Sequence, residues 1–381
     1  MIVGVHDFVD ALGRFKDETV PLDADPTGGK KLGFTLRVPC GVVAAIAPFN
    51  FPLNLVCHKV GPALAAGNSV IVKPASDTPL SALKLTEILL EAGLPPEGIQ
   101  CITGSGGEIG DALVKDRRVR KITFTGSREI GDRICRMAGI KKVTMELGSN
   151  SPLIIMPDAD LNRVAAAVAT TGYGNAGQTC ISTQRVLTAK KVYGDFLDAL
   201  KPKVEALSTG NQLDEGSKVG PMVKESEAVR VEDWIEEAVA SGARLAAGGG
   251  RCGAIYIPAV VADVTPDMRI SRDELFGPAV AVTPFENIEE AIALANDTRY
   301  GLAASIWTRD VDRPLRIARE LQVGTVWVND WVMMRDEFEE GGYKQSGRGR
   351  LRGLAALDDF LEYKHIVLQP GVVAAGYRRH V

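Results

Sequence analysis

The chain has 381 residues, 45% of them hydrophobic, enough to bury a large core and, as a prior, to build two or three domains. A formal net charge of -4 leaves no basic excess for neutralising nucleic-acid phosphates, which excludes nucleic acid as an expected partner. No run approaches the roughly 18 apolar residues of a membrane-spanning helix, and residues 1–15, interrupted by Asp7 and Asp10, lack the form of a signal peptide, so a soluble, cytoplasmic protein is expected.

In chain order, segment 19–38 is polar and Gly/Pro-rich in its middle, with flanks suited to a hairpin that seeks a partner edge. From 41 to 107, VVAAIAP, SVIVKP and IQCITG read as strands, separated by a Gly-Asn break and by the periodic helix LSALKLTEILLEAGLP. KITFTGS followed by REIGDRICRMAG repeats the strand-then-helix unit. The alternation predicts an α/β, doubly wound parallel sheet.

A second series of the same class begins near Ser151. It has PLIIM, a helix over 159–176, QRVLTA, a helix over 193–207, and strands at 279–285, 305–308 and 324–329. LEYKHIVLQ closes the chain as another strand seeking an edge. Six cysteines at 40, 57, 101, 135, 180 and 252 form no CxxC pair and stand near no histidine cluster, so no metal site and no disulfide framework is expected.

Several segments suit chemistry. In NAGQTC, Cys180 follows a Gly-rich turn where backbone N–H groups would lower a thiol pKa, although an isolated cysteine is as readily a buried structural one. In MELGSN, Glu146 ends a strand before a glycine, a place for a general base or for a merely solvated carboxylate. In APFNFPLN, Asn50 lies between two aromatics before a proline, where its amide can meet a developing oxyanion or simply make a turn. VIVKPASDTP delivers Lys73 at the carboxyl end of a strand, suited to a ribose or phosphate unless it snorkels to solvent. In FTGSREIG, Gly126, Ser127 and Gly131 make a strand-to-helix turn whose helix N-terminus can face a pyrophosphate, or a plain tight turn.

With ELFGP at 274–278, NDTRYGL at 296–302, GTVWVN and GGYKQSGRGR at 341–350, these segments resemble the aldehyde dehydrogenase superfamily, in order, from about residue 34 to about 365. The resemblance implies two doubly wound domains plus a small oligomerisation sheet: a nucleotide-binding domain over 1–147 with the hairpin 19–38 in the oligomerisation sheet, a catalytic domain over 148–336, and a return of 337–381 to both. It implies NAD or NADP as cofactor, a small-molecule aldehyde as substrate and a homodimer or homotetramer. Carried over, Cys180 is the nucleophile, Glu146 the general base, and Asn50 with the Cys180 N–H the oxyanion hole. Ala47, Pro48, Phe49, Lys73, Ser76, Gly126, Ser127, Leu147, Glu274 and Phe276 would hold the cofactor.

Three departures accompany the resemblance. The chain lacks helices that family members carry ahead of the start, so an N-terminally short member is expected. Ser76 stands where many NAD-preferring members have a glutamate that repels a 2′-phosphate, so NADP should be tolerated. GGYKQSGRGR continues as LRG instead of an acidic residue and glycine, a difference expected to touch only packing. For the acyl pocket, Phe51, Thr179, Trp331 and Phe338 are candidates, and Arg335 could face an anionic substrate group. Rival readings are an acylating enzyme that passes the acyl group to coenzyme A, against which Glu146 argues, and a catalytically impaired interaction protein, against which the retained Cys180, Glu146 and Asn50 argue.

Overall fold

The computed structural model describes residues 18–24, 31–330 and 338–369. Its first sheet has six strands in the spatial order Gly347–Arg348, Lys142–Glu146, Val119–Thr125, Val42–Ile46, Ser69–Lys73, Ile99–Cys101. All neighbours run parallel except the short first strand, which is antiparallel to Lys142–Glu146. Val42–Ile46 shows why a continuous apolar run becomes a central strand: successive side chains face opposite ways and both faces are covered. Val43 and Ala45 pack with Val56 and Val60, whereas Ala44 and Ile46 pack with Ile122 and Phe124.

Strand order reverses at Val42–Ile46. Later strands are added on one side as 69–73 and 99–101, then on the other as 119–125 and 142–146. In open α/β sheets a crevice opens at such a switch, beyond the carboxyl ends. The residues there are Ala47 to Asn50, Gly126 and Ser127.

The second sheet has seven strands in the order Arg244–Ala247, Ala259–Ala262, Ala279–Phe285, Arg185–Ala189, Pro152–Ile155, Ala303–Trp307, Thr325–Val328, parallel apart from the first. Its two faces are sealed by separate clusters, one around Leu153, Val186 and Val280 and one around Ile154, Leu187 and Ile306. The α/β class and the paired sheets expected from the sequence are both present. A third, antiparallel sheet joins Glu18–Val20, Leu32–Pro39 and Leu361–Leu368, with the last strand on an outer edge.

One element differs from the sequence reading. The helix expected over 159–176 spans Leu161–Thr171. It cannot run on to 176, because Asn175 and Ala176 adopt φ of 52° and 54°, left-handed values that a right-handed helix cannot contain. The turn that follows brings Gly177, itself at φ 70°, against the backbone of Gly277, so closely that a Cβ there would sit 2.0 Å from the Gly277 carbonyl oxygen. Residues 1–15, Trp331 and Arg335 lie outside the described residues.

Candidate active site

Each sheet presents a different end to one shared cleft. From the first sheet come residues just past strand carboxyl ends: Pro48, Phe49 and Asn50 after Val42–Ile46, Gly126 and Ser127 after Val119–Thr125, and Glu146 with Leu147 at the end of Lys142–Glu146. The second sheet contributes residues just ahead of strand starts, Gln178 and Cys180 before Arg185–Ala189, Glu274 and Phe276 before Ala279–Phe285. All of these line a cavity of about 510 Å³. An adjoining cavity of about 300 Å³, sharing Pro48 and Gly126, is walled by Ala47, Lys73 and Ser76. Thus the ten residues expected at the cofactor line two connected spaces.

Glu146 and Cys180, in the wall of the larger cavity, belong to a cluster of ionisable groups. One oxygen of Glu146, the Cys180 Sγ and one oxygen of Glu340 all lie within 4.8 Å of one another. Glu146 is buried, with the Cys180 thiol and the Thr125 hydroxyl beside its carboxyl. Burial pushes its carboxyl up to about 7, Glu340 adds to the rise, and the Lys59 ammonium opposes it. Lys59 is fully buried, its Nζ donating to Thr125 Oγ1 at 2.5 Å. Burial lowers the lysine, with the Glu146 carboxylate opposing.

The thiol departs from the sequence expectation. Burial pushes Cys180 well above the ordinary thiol range, and Glu146 and Glu340 push it further. The turn geometry that was expected to lower it is outweighed, because desolvation of a thiolate and two nearby carboxylates act in the same direction. A base within reach is therefore a requirement for forming the thiolate here.

Asn50 is held by its amide, which donates to the Gln178 carbonyl at 3.0 Å, while Asn175 donates to the Asn50 carbonyl at 3.1 Å. Lys73 is buried rather than snorkelling, donating to the Pro74 carbonyl at 3.0 Å. Ser127 caps the helix Arg128–Ala138, its Oγ accepting from the Ile130 N–H at 3.5 Å. Glu274 accepts from the Ser149 N–H at 2.9 Å, and burial raises its carboxyl to about 8. It packs onto Gly148, where a Cβ would lie 2.2 Å from the carboxylate. Phe276 meets Phe49 edge-on at 6.1 Å between ring centroids.

Of the acyl-pocket candidates, Phe338 lines a third space, of about 400 Å³, with Ile181, Trp327, Glu340 and Arg352. Phe51 and Thr179 are in the walls of none of the three cavities.

Sequence reasoning missed Lys59, Glu340, Arg352 and Gln184. Gln184 accepts from the Leu275 N–H at 2.8 Å and so fixes the segment that carries Glu274. The LRG departure was expected to concern packing alone. Instead Arg352 is buried with its Nε 3.3 Å from Glu340, which puts that segment within one side chain of Cys180. The usable signals were a lysine amid the apolar helix residues LVCHKVGPALA and a carboxylate directly ahead of GGYK.

Two opposed α/β sheets that close over a glycine-lined cleft, with a thiol and carboxylates at its floor, define a nucleotide-dependent enzyme. The family model "Aldehyde dehydrogenase family" matches residues 1–366. A 3-sulfolactaldehyde dehydrogenase of Priestia aryabhattai is 46% identical over 356 residues, 93% of this chain and 75% of that relative. Among solved structures, the NADP-dependent glyceraldehyde-3-phosphate dehydrogenase of Bacillus halodurans C-125 complexed with NADP superposes with a TM-score of 0.92 at 36% identity, covering 97% of this chain and 78% of that one. The betaine aldehyde dehydrogenase of Staphylococcus aureus in complex with NAD+ gives 0.92 at 34%, covering 97% and 75%. The chain belongs to the aldehyde dehydrogenase family, and the expected NAD or NADP dependence is borne out with it.

Proposed function

We propose that the protein oxidises an aldehyde to a carboxylic acid through a covalent thioester on Cys180. The observation that carries this reading is the convergence of the Cys180 thiol, the Glu146 carboxyl and the Asn50 amide on the floor of one cavity. The residues present fit a dinucleotide. Lys73 and Ser76 wall the narrower space, Gly126 and Ser127 stand at the N-terminus of a capped helix, and a Cβ at Gly126 would lie 2.5 Å from the Phe124 ring. Glu274 and Phe276 line the wider space.

A nicotinamide held there would supply the hydride acceptor for oxidation at the substrate carbon. The protein's own steps are those of nucleophilic catalysis. The Cys180 sulfur adds to the aldehyde carbon, and the Asn50 amide with the backbone N–H of Cys180 stabilises the negative oxygen that forms. After oxidation the carbon is a thioester. Glu146, as carboxylate, removes a proton from water attacking that carbon, and collapse releases the acid and the sulfur.

In this reading the sheet built on Val42–Ile46 is the nucleotide-binding unit over 1–147 and 337–381, and 148–336 is the catalytic unit. The outer strand Leu361–Leu368, with Tyr363, Val367 and Leu368 exposed, pairs with a second copy in a homodimer or homotetramer. The test is formation of reduced nicotinamide from a panel of aldehydes with NAD and with NADP, by wild type and Cys180→Ser. Turnover by wild type alone supports the reading. Equal turnover by both proteins, or acyl-coenzyme A as the product when coenzyme A is supplied, overturns it.

A further inference from the structure

The thiol at the floor of the cleft faces two carboxyls in unlike surroundings. Glu340 is buried, and its backbone is clamped in an antiparallel bridge to Leu351, each residue's N–H donating to the other's carbonyl at 2.7 Å. One of its oxygens lies within 4.8 Å of both Cys180 Sγ and a Glu146 oxygen. The buried Arg352 guanidinium stands 3.3 Å from Glu340 Oε2. Among the described residues, the other ionisable groups near the trio are Lys59 and His58 on the helix Asn54–Ala65, and Glu274 across the cleft.

Two carboxylates this close in a desolvated site do not both ionise freely; they share a proton, and their environments decide where it rests. The guanidinium holds Glu340 as the anion. Glu146, beside the Cys180 thiol and the Thr125 hydroxyl, is raised by burial and by Glu340 and carries the proton. The half-buried thiol then has the Glu340 carboxylate ready to accept its proton, while the Glu146 carboxyl that it also meets is already protonated.

Building on the reading of Cys180 as nucleophile, we propose that Glu340 is a second base of the site, which takes the Cys180 proton, while Glu146 is reserved for water. In the first step the S–H bond breaks, the proton passes to a Glu340 oxygen and the electron pair stays on sulfur. In the last step, sulfur leaves the thioester carbon with its electron pair and recovers that proton from Glu340. Glu146 first gives its own proton to solvent and then, as carboxylate, takes one proton from the attacking water, which it releases to solvent in turn.

Three measurements on wild type, Glu340→Gln, Glu340→Asp, Glu146→Gln and Cys180→Ser test this. They are the pH dependence of iodoacetamide alkylation at Cys180, read on its own peptide by mass spectrometry without aldehyde, the first-turnover burst of reduced nicotinamide, and the steady-state rate. Wild type and Glu146→Gln are expected to alkylate at a rate nearly flat across neutral pH, because Glu340, anionic throughout that range, takes the thiol proton as the sulfur is alkylated. In Glu340→Gln the rate should climb about tenfold per pH unit, and the burst should slow at least about tenfold, within the usual range for a lost general base. Glu340→Asp, which keeps the carboxylate but withdraws it by one methylene, should recover part of the burst.

A flat alkylation profile and an unchanged burst in Glu340→Gln overturn the proposal, as does loss of the flat profile in Glu146→Gln alone. If Glu340→Gln does not fold, Glu340→Asp decides: a burst slowed severalfold supports the role and an unchanged burst overturns it. Turnover by Cys180→Ser would instead remove the underlying reading, so the two failures are distinguishable.

Discussion

Asn50 donates its side-chain amide to the carbonyl of Gln178 at 3.0 Å, joining two segments 128 residues apart. That bond anchors the amide beside the Cys180 turn and leaves its second N–H for a developing oxyanion. Asn50→Ala is expected to lower kcat by on the order of 10²-fold to 10³-fold with little change in KM, because the donor acts mainly when charge develops. Steady-state kinetics with the preferred aldehyde check this, and a loss confined to KM would contradict it.

The buried Glu146 makes both rate and stability respond to pH. Its carboxyl, ordinarily near 4.5, is pushed up to about 7, first by burial and then by Glu340. As a base it must be deprotonated, so the hydrolytic step is expected to rise with pH through about 7. For stability the sign is opposite: the folded chain binds this proton more tightly than the unfolded chain, so the contribution is full below about 4.5 and is lost as pH rises through about 7. Glu146→Gln abolishes the titration. The melting temperature of wild type relative to that variant should fall steadily over this interval, whereas parallel curves would show that Glu146 is not perturbed.

Ser76 shares the narrower cavity with Lys73 and donates to the Gly104 carbonyl at 3.1 Å. With no negative charge there, a 2′-phosphate meets no repulsion from this position. Ser76→Glu is expected to raise the KM for NADP by tenfold or more, roughly 1.4 kcal/mol, and to leave that for NAD within about twofold. Parallel cofactor titrations on the two proteins measure the ratio.

Gly177 tolerates no side chain. Its φ of 70° is left-handed and a Cβ would collide with the Gly277 carbonyl at 2.0 Å, three residues from Cys180. Gly177→Ala should cost on the order of 2–3 kcal/mol in unfolding free energy, measured by urea denaturation, and should slow Cys180 alkylation through displacement of the turn.

Much of the architecture was legible because the relevant physics is local. Val- and Ile-rich runs bounded by glycine and proline marked Val42–Ile46, Ser69–Lys73 and Val119–Thr125, and strict helical periodicity marked Leu80–Glu91. The places of Asn50, Lys73, Gly126 and Glu146 at strand ends followed from the same boundaries. The helix end at Thr171 was misread, since the apolar pattern continues through Ala176 while the backbone there turns left-handed to meet Gly277.

By itself, then, the sequence determined the α/β class, the order of strands and helices, and which strand ends carry polar groups, since each depends on residues near one another in the chain. Only the tertiary structure decided the electrostatics of the thiol. Glu146 and Glu340 come from segments 194 residues apart and Lys59 from a third, and they meet at Cys180 because two sheets bury one cleft between them. Burial and the two carboxylates reversed the direction expected for the Cys180 thiol, because the cost of desolvating a charge depends on everything that surrounds it and not on its neighbours in sequence.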